Sequence, residues 1–283
     1  MTRDPHHERA QVPELPSVRG AVLARALSIV LFRTGLHIRV HGRSRVPGSG
    51  PVILASNHTG LVDGPMLIGV SPRPVHVLIK AEAFRGFVGG ALVRLGQIAL
   101  RRDGGDRAAI TSALDVLRAG RVLAIFPEGT RGAGDVSSVQ RGVAHLALRS
   151  GAPVVPVAVL GTAAARPGGA MPRARALVDV LFGEPLTLTA TGAAAAPGDP
   201  GVARAATRAA TDAALETIKA AMAANVATAV ARRTGTPAPP LATAPPPAPA
   251  SLPAPASPVV AHRPSAAAGQ APVGAPAARE GST

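Results

Sequence analysis

A histidine and an aspartate, His58 and Asp63, stand five positions apart directly after the apolar run Val52–Ala55. If a helix begins at Asp63-Gly64-Pro65, the carboxylate can turn back, accept the imidazole Nδ1–H and fix the tautomer of the ring. The other ring nitrogen then faces outward and can take a proton from a hydroxyl, as a general base does. Two simpler interpretations stay open, because an aspartate at a helix start is favourable as a cap alone and a loop histidine can be merely solvated.

The usual nucleophiles of covalent group transfer are missing, since the chain contains no cysteine and no G-x-S-x-G elbow. We therefore expect His58 to activate the hydroxyl of the substrate itself, so that the transferred group passes directly from donor to acceptor. One histidine and one aspartate are too few ligands for a metal ion, and the sequence has no H-E-x-x-H motif. The sequence therefore predicts neither a metal site nor a bound cofactor.

A second polar segment, Phe126–Arg131 with the sequence F-P-E-G-T-R, ends the apolar run Val122–Phe126. Polar side chains that follow a strand in this way lie at the carboxyl edge of an open α/β sheet, where such sheets bind ligands. Arg131 can hold a phosphate through two parallel N–H···O bonds. Glu128 can accept from that arginine, from another arginine or from a substrate hydroxyl. A structural turn closed by a salt bridge is the alternative.

Two further segments complete the set of candidate site segments. In Gly96–Arg102 a predicted strand runs into two arginines, and Arg102 offers a second cation for the same phosphate, unless it is simply a solvated strand end. The run Val154–Val159 has the pattern of a buried strand with Pro156 inside it. Proline within a strand predicts an edge or a bend, and we expect this segment to form a wall of the pocket.

Short β-rich runs alternate with helical stretches along the chain. The predicted strands are His37–His41, Val52–Ala55, Val75–Ile79, Gln97–Leu100, Arg121–Ile125, Val154–Val159 and Ala176–Leu181. The predicted helices of the same region are Gly64–Val70, Glu82–Leu95, Asp106–Ala119, Val139–Arg149 and Val202–Arg232. This alternation predicts a single α/β domain, with a mostly parallel or mixed sheet flanked by helices.

Composition divides the chain of 283 residues into four parts. Residues 1–17 are polar and contain three prolines, which predicts a disordered lead-in. Residues 18–35 are predicted to form a helix, and residues 36–233 the catalytic domain. Residues 234–283 consist almost wholly of Pro, Ala, Ser, Thr, Gly and Val, which predicts a disordered tail because few large apolar groups can be buried.

The helix predicted over residues 18–35 is amphipathic. Its arginines gather on one side and several large apolar residues share another side, namely Arg19, Arg25 and Arg33 against Leu23, Leu27, Val30 and Leu31. The apolar run is too short and too charged for a spanning helix, which needs roughly 20 apolar residues. We expect a helix that lies in the membrane interface. An ordinary helix covering the core and a signal anchor are the alternatives.

The formal net charge is +14, and all but two of the 30 basic groups, Lys80 and Lys219, are arginine. Such a surface attracts nucleic acid, anionic membrane and polyanionic substrates alike. Aromatic residues make up only 2% of the chain, with no tryptophan or tyrosine. Since single-stranded nucleic acid is bound on aromatic platforms, the composition argues against nucleic acid and favours a membrane surface.

These blocks, in this order, resemble the 1-acylglycerol-3-phosphate acyltransferase family of glycerolipid synthesis. The family motifs are N-H-x-x-x-x-D, G-x-I-x-x-x-R, F-P-E-G-T-R and V-P-V, and they fall at Asn57–Asp63, Gly96–Arg102, Phe126–Arg131 and Val155–Val157. The stretch Lys80–Phe84 is also similar to the K-x-E-x-F segment of the family. The resemblance covers roughly residues 35 to 185 and implies the glycerolphosphate acyltransferase type of fold.

The resemblance implies that His58 is the base acting on the 2-hydroxyl of the acceptor and that Asp63 orients it. It implies that Arg102, Glu128 and Arg131 bind the glycerol phosphate, and that Gly129 and Thr130 shape the turn. The acyl donor would be a thioester of coenzyme A or of acyl carrier protein. We therefore expect an O-acyltransferase that makes phosphatidic acid, peripheral or monotopic at the cytoplasmic face of the membrane.

Two positions depart from the family pattern. Arg101 stands where the family often has an aspartate, and Val139-Gln140 stands where a Phe-Lys pair is common, with Arg141 beside it. Either change alters the charge around the acceptor. Glycerol 3-phosphate, another lysophospholipid and a lyso-aminolipid therefore remain as alternative acceptors for the same chemistry.

Overall fold

The computed structural model of the protein describes residues 15–101, 107–128, 136, 139–163, 171–189 and 200–236. Most of the predicted lead-in and the predicted tail beyond residue 236 lie outside these ranges. Four of the predicted site residues also fall outside them, namely Arg102, Gly129, Thr130 and Arg131.

The described residues form one mixed sheet of seven strands. The strands are β1 (His37–His41), β2 (Val52–Ser56), β3 (Val75–Lys80), β4 (Ile98–Leu100), β5 (Val122–Ile125), β6 (Val154–Leu160) and β7 (Leu177–Phe182). From edge to edge their order is β1-β7-β6-β2-β5-β3-β4. Strands β6 and β7 run antiparallel, and the other neighbours run parallel. The predicted α/β class and mixed sheet are confirmed.

Helices cover both faces of this sheet. They are α1 (Val18–Gly35), α2 (Asp63–Val70), α3 (Gly86–Arg94), α4 (Arg107–Arg118), α5 (Gly142–Ser150) and α6 (Pro200–Thr234). In the central strand β2, Val52 and Leu54 pack on the side of α1 and α2. Ile53 and Ala55 pack on the side of α4, α5 and α6. A strand buried on both faces must be apolar throughout, and truncating Leu54 to alanine would cost about 2–5 kcal/mol.

Helix α1 begins and ends at the predicted residues. The Ser17 side chain caps it by accepting from the backbone N–H of Gly20 at 3.0 Å. Its buried face is made of small residues and one phenylalanine, namely Gly20, Ala21, Ala24, Ser28 and Phe32. Small side chains allow α1 to lie close against α2, where a Cβ on Gly69 would come within 3.1 Å of the Ser28 Cβ. Within the described ranges, no helix is long and apolar enough to cross a membrane.

The helix predicted over Glu82–Leu95 is interrupted. A short 3-10 turn spans Ala81–Ala83, and α3 begins only at Gly86, whose φ of 55° is in the left-handed region that favours glycine. The chain also doubles back, so that a Cβ on Gly89 would overlap the backbone of Phe84. Gly86 thus permits the left-handed turn and Gly89 the close approach, and both interrupt the predicted helix.

Pro156 does not mark an edge strand, so that part of the prediction is wrong. Strand β6 lies inside the sheet, between β7 and β2. The Pro156 carbonyl accepts from the N–H of Gly183, one residue beyond the end of β7 at Phe182, at 2.8 Å. The backbone N and O of one strand residue point to the same side, so the missing N–H of Pro156 would point toward the end of β7. Because β7 ends there, the proline removes no hydrogen bond between β6 and β7.

Candidate active site

The site begins where β2 ends, at the centre of the sheet. Asn57 is fully buried, and its side-chain amide donates to the Val159 carbonyl at 3.0 Å. In return, the backbone N–H of Val159 donates to Asn57 Oδ1 at 2.7 Å. The Asn57 side chain thus continues the pairing of β2 with β6 beyond the last strand residue and fixes the start of the loop that carries His58.

His58 and Asp63 form the predicted pair. Nδ1 of His58 lies 2.8 Å from Oδ2 of Asp63, a carboxylate that is fully buried. Since a carboxylate only accepts, Nδ1 carries the proton and Nε2 is the basic nitrogen of the neutral ring. Asp63 is the first residue of α2, but the carboxylate accepts backbone N–H groups from the preceding loop, at Thr59 (2.7 Å) and Gly60 (2.8 Å). The predicted geometry is therefore present, and the catalytic role remains a prediction.

A fourth donor reaches Asp63 from a distant part of the chain. Thr162, just beyond β6, is fully buried and donates its hydroxyl proton to Asp63 Oδ1. The hydroxyls of Thr59 and Thr162 are 3.0 Å apart. Gly60 also packs against this segment so closely that a Cβ there would overlap the Thr162 carbonyl. The sequence motifs did not identify Thr162, because only the pairing of β2 with β6 brings it beside Asp63.

The imidazole ring is held on its face as well as at its edge. Phe126, at the end of β5, stacks on His58 with the ring centroids 4.5 Å apart and the planes 30° apart. The His58 side chain remains 20% exposed, whereas Asp63 is 0% exposed. The ring is thus oriented by a buried carboxylate and an aromatic face, while part of it stays accessible to a substrate.

Glu128 joins the same site, because β5 pairs in parallel with β2 and both strands end at one edge of the sheet. Its carboxylate is buried and accepts the backbone N–H of His58 at 3.3 Å. The structure therefore brings together three of the predicted site residues, His58, Asp63 and Glu128. The four others lie outside the described ranges, so their positions in the site remain predictions.

The structure describes Gln140 and Arg141, which follow the F-P-E-G-T-R motif at the positions where the sequence departs from the family pattern. The backbone N–H of Gln140 donates to the Pro127 carbonyl at 2.8 Å, which joins the residue before Glu128 to the residues just before α5. The neighbouring Arg141 pairs with Asp212 of α6 at 2.9 Å. The Arg141 guanidinium is therefore engaged with the neighbouring helix α6.

A small apolar cleft lies beside the first residues of α2 that follow Asp63. It has a volume of about 160 Å³ and lies between α1, the start of α2, α3 and β3. Gly64 and Pro65, which directly follow Asp63, form part of its wall, and apolar side chains form most of the rest, including Leu27, Leu31, Ile68, Ile79 and Leu92. Such a cleft suits a hydrocarbon chain and not a polar group.

Comparison with known proteins extends this description. Residues 37–160 match the family model Acyltransferase. The 1-acyl-sn-glycerol-3-phosphate acyltransferase of Bacillus subtilis is 28% identical over 165 residues, which cover 58% of this chain and 80% of that protein. The protein of the same name from Borreliella burgdorferi is 33% identical over 146 residues, which cover 50% of this chain and 58% of that protein. The crystal structure of the 1-acyl-sn-glycerophosphate acyltransferase PlsC from Thermotoga maritima gives a TM-score of 0.48 at 21% identity, over 70% of this chain and 78% of that chain.

These matches place the protein among the O-acyltransferases. Residues 37–160 match the Acyltransferase model, and the predicted resemblance to the 1-acylglycerol-3-phosphate acyltransferases is confirmed. The matched residues 37–160 include β1 to β6 and therefore His58, Asp63 and Glu128, whereas Thr162 lies just beyond them.

Proposed function

We propose that the protein transfers a fatty acyl group from an acyl thioester to the 2-hydroxyl of 1-acylglycerol 3-phosphate, giving phosphatidic acid for phospholipid synthesis. The observation that carries this proposal is the hydrogen bond of 2.8 Å between His58 Nδ1 and the buried Asp63, at the carboxyl edge of the sheet. The names of the relatives support the acceptor. The donor is a thioester of coenzyme A or of acyl carrier protein.

The mechanism follows from the tautomer of His58. Nε2 takes the proton of the acceptor hydroxyl while that oxygen attacks the thioester carbonyl, and the Asp63 carboxylate stabilises the imidazolium that forms. The new C–O bond forms, the C–S bond breaks, and the proton passes from His58 to the departing thiolate. Neither a covalent acyl-enzyme nor a metal ion takes part in this scheme.

The acceptor phosphate is proposed to bind to Arg102 and Arg131, as the family resemblance implies. Glu128 is assigned to the acceptor site with them, with Gly129 and Thr130 shaping the turn. The charge of the chain supports an anionic acceptor, since residues 15–101 contain eleven basic and two acidic residues. Anionic substrates are attracted to such a surface before they reach the site.

The acceptor is proposed to enter from a membrane surface to which the protein binds peripherally, at its cytoplasmic face. Four large apolar residues on the outer side of α1 support this location, because they are all more than half exposed, namely Leu23, Leu27, Val30 and Leu31. Helix α3 adds exposed apolar groups nearby, above all Phe87 at 93% exposure. The two helices adjoin, since Gly20 packs against the backbone of Arg94. An exposed apolar face of this extent favours an interface.

The apolar cleft is proposed to hold the acyl chain of one substrate. It opens beside Gly64 and Pro65, next to the catalytic pair, and its far walls belong to α1 and α3. A chain bound there would run from the reacting carbonyl toward the helices proposed to face the membrane.

A second acceptor class remains in the proposal, because Arg101 and Gln140 replace residues that are common in the family. Glycerol 3-phosphate, other lysophospholipids and a lyso-aminolipid would use the same base and the same donor. The charge of their head groups distinguishes them from 1-acylglycerol 3-phosphate.

The test is a purified-enzyme assay with this panel of acceptors and with both thioester donors. We expect the highest kcat/KM with 1-acylglycerol 3-phosphate. In parallel, His58→Ala should reduce transfer by at least about 10²–10⁴-fold, the usual contribution of a general base, and leave thermal unfolding unchanged. His37→Ala is the matched control, since His37 is an exposed histidine at the start of β1. Wild-type turnover in His58→Ala would falsify the role of His58 as the base. A higher kcat/KM with another acceptor would show that 1-acylglycerol 3-phosphate is not the preferred acceptor.

A further inference from the structure

We propose that Thr162 is a positioning residue for acyl transfer, whose hydroxyl fixes the Asp63 carboxylate in the orientation that holds His58. The inference rests on the proposed function of the His58–Asp63 pair. Thr162 is outside all four sequence motifs and follows β6 at the point where that strand reaches the site.

The four donors to Asp63 are divided unequally between its two oxygens. Oδ2 accepts from His58 Nδ1 and from two loop N–H groups, those of Thr59 and Gly60. The contact described for Oδ1 comes from Thr162. A carboxylate that is hydrogen-bonded through only one oxygen can still rotate about its hydrogen bond to the imidazole. A carboxylate that is hydrogen-bonded through both oxygens cannot rotate in this way. Thr162 therefore supplies the second point that fixes the plane of the carboxylate.

The direction of the hydroxyl hydrogen bonds follows from the chemistry of the groups. A hydroxyl has one proton to donate, and an ionised carboxylate can only accept. The Thr162 proton must therefore point to Asp63, and the Thr59 hydroxyl, 3.0 Å from that of Thr162, must donate to the Thr162 oxygen. Thr59, Thr162 and Asp63 thus form a directed chain of donors that ends at the carboxylate, and each bond polarises the next.

The backbone and side chain of Thr162 have separable functions. Its carbonyl packs against Gly60, where no Cβ would fit, so the backbone helps to fix the loop of the catalytic pair. Its hydroxyl contacts the carboxylate. Valine has nearly the shape of threonine and lacks the hydroxyl, so Thr162→Val keeps the loop packing and removes only the donor.

Loss of the donor should affect the chemical step more than substrate binding. Oδ1 would become a buried acceptor with one hydrogen bond fewer, and the carboxylate would relax toward other donors. The imidazole would follow its partner and lose alignment with the acceptor hydroxyl. Small misalignments of a positioned base cost rate without weakening affinity, because the base acts in the transition state.

The experiment compares Thr162→Val, Thr162→Ser and a matched control in the full chain. The control is Thr228→Val on α6, because Thr228 is also buried and its hydroxyl donates to the Ala224 carbonyl, on a helix that is not part of the site. We expect kcat of Thr162→Val to fall by about 10–100-fold with both KM values nearly unchanged. Thr162→Ser should retain activity to within a few-fold, and Thr228→Val should match the wild type.

A second measurement follows the hydrogen bond directly. In the wild type and in Thr162→Ser, the Nδ1–H proton of His58 should give a downfield proton resonance, assigned by its absence in His58→Ala. In Thr162→Val this resonance should shift or broaden. Should Thr162→Val fail to fold, the comparison of Thr162→Ser with Thr162→Ala isolates the same hydroxyl.

Three outcomes would overturn the proposal: wild-type kcat in Thr162→Val, an equal loss in Thr162→Ser, or an unchanged His58 resonance in the valine variant. The resonance needs no turnover, so it is informative even if the acceptor assignment fails. Conversely, inactivity of the wild type with every acceptor would contradict the proposed function and leave the Thr162 hydrogen bond testable by resonance alone.

Discussion

Asp63 shows how much support a single orienting carboxylate receives at the residue scale. It is fully buried and accepts three loop or hydroxyl donors besides His58. Asp63→Asn would place an amide, which itself donates, against these donors and would favour the wrong histidine tautomer. We expect kcat to fall on the order of 10²–10⁴-fold. Steady-state kinetics test this, and turnover within a few-fold of wild type would mean that Asp63 is only a cap.

The residues of the site differ in how far local sequence can predict them. His58 and Asp63 are five positions apart, so a turn followed by a helix start is enough to predict their contact. Glu128 is predicted by a rule of sheet topology, since β2 and β5 both end at the carboxyl edge. Thr162 is 99 positions from Asp63 and has no motif of its own. Its position beside Asp63 depends on the pairing of β2 with β6, and no short segment of the sequence shows which strands will pair.

Helix α1 makes a prediction at the scale of an element. If its outer face binds the membrane, the double variant Leu27→Gln/Val30→Gln should bind anionic vesicles at least roughly tenfold more weakly, because two apolar side chains lose their burial in lipid. Folding stability should change little, since both residues are exposed. Vesicle co-sedimentation measures the binding. The matched control is Val230→Gln, which changes an exposed valine of α6 on the opposite face of the sheet. Unchanged vesicle binding of the double variant would exclude α1 as the membrane-binding helix.

Helices and strands can be predicted where the hydrophobic periodicity agrees with residues, such as glycine, that end an element. The bounds of α1 and β1 follow from their apolar patterns and from Gly35, the last residue of α1. The order of the strands does not follow, because β7 pairs both with β6, the strand before it in sequence, and with β1, the first strand. The edge predicted from Pro156 was wrong for the same reason. A proline excludes an inner strand only if its neighbour continues past it, and β7 stops there.

At the scale of the whole molecule, one buried histidine links several distant segments. His76 lies on β3 inside the sheet, and its Nδ1 donates to the Gly96 carbonyl at 2.7 Å. Gly96 packs in turn against the carbonyl of Ser17, at the start of α1. Arg121 at the start of β5 donates to Pro16 at 2.7 Å, so a cation stands on the same side of the sheet. Charging His76 would therefore disturb the joint between α1 and the sheet.

The pKa of His76 lies below its ordinary value, chiefly because burial disfavours the imidazolium and further because of Arg121, while the hydrogen bond to Gly96 opposes the shift. Below about pH 6.5, the pKa of the unfolded state, His76 binds a proton in the unfolded chain but not in the folded chain. As the pH decreases, the free energy of unfolding therefore decreases by up to about 1.4 kcal/mol per pH unit, until the folded pKa is reached. Urea unfolding at pH 7.5 and 5.5 should show a smaller loss for His76→Asn than for the wild type. The exposed-site variant His37→Asn should keep the wild-type slope, and equal slopes in all three proteins would remove His76 as the cause.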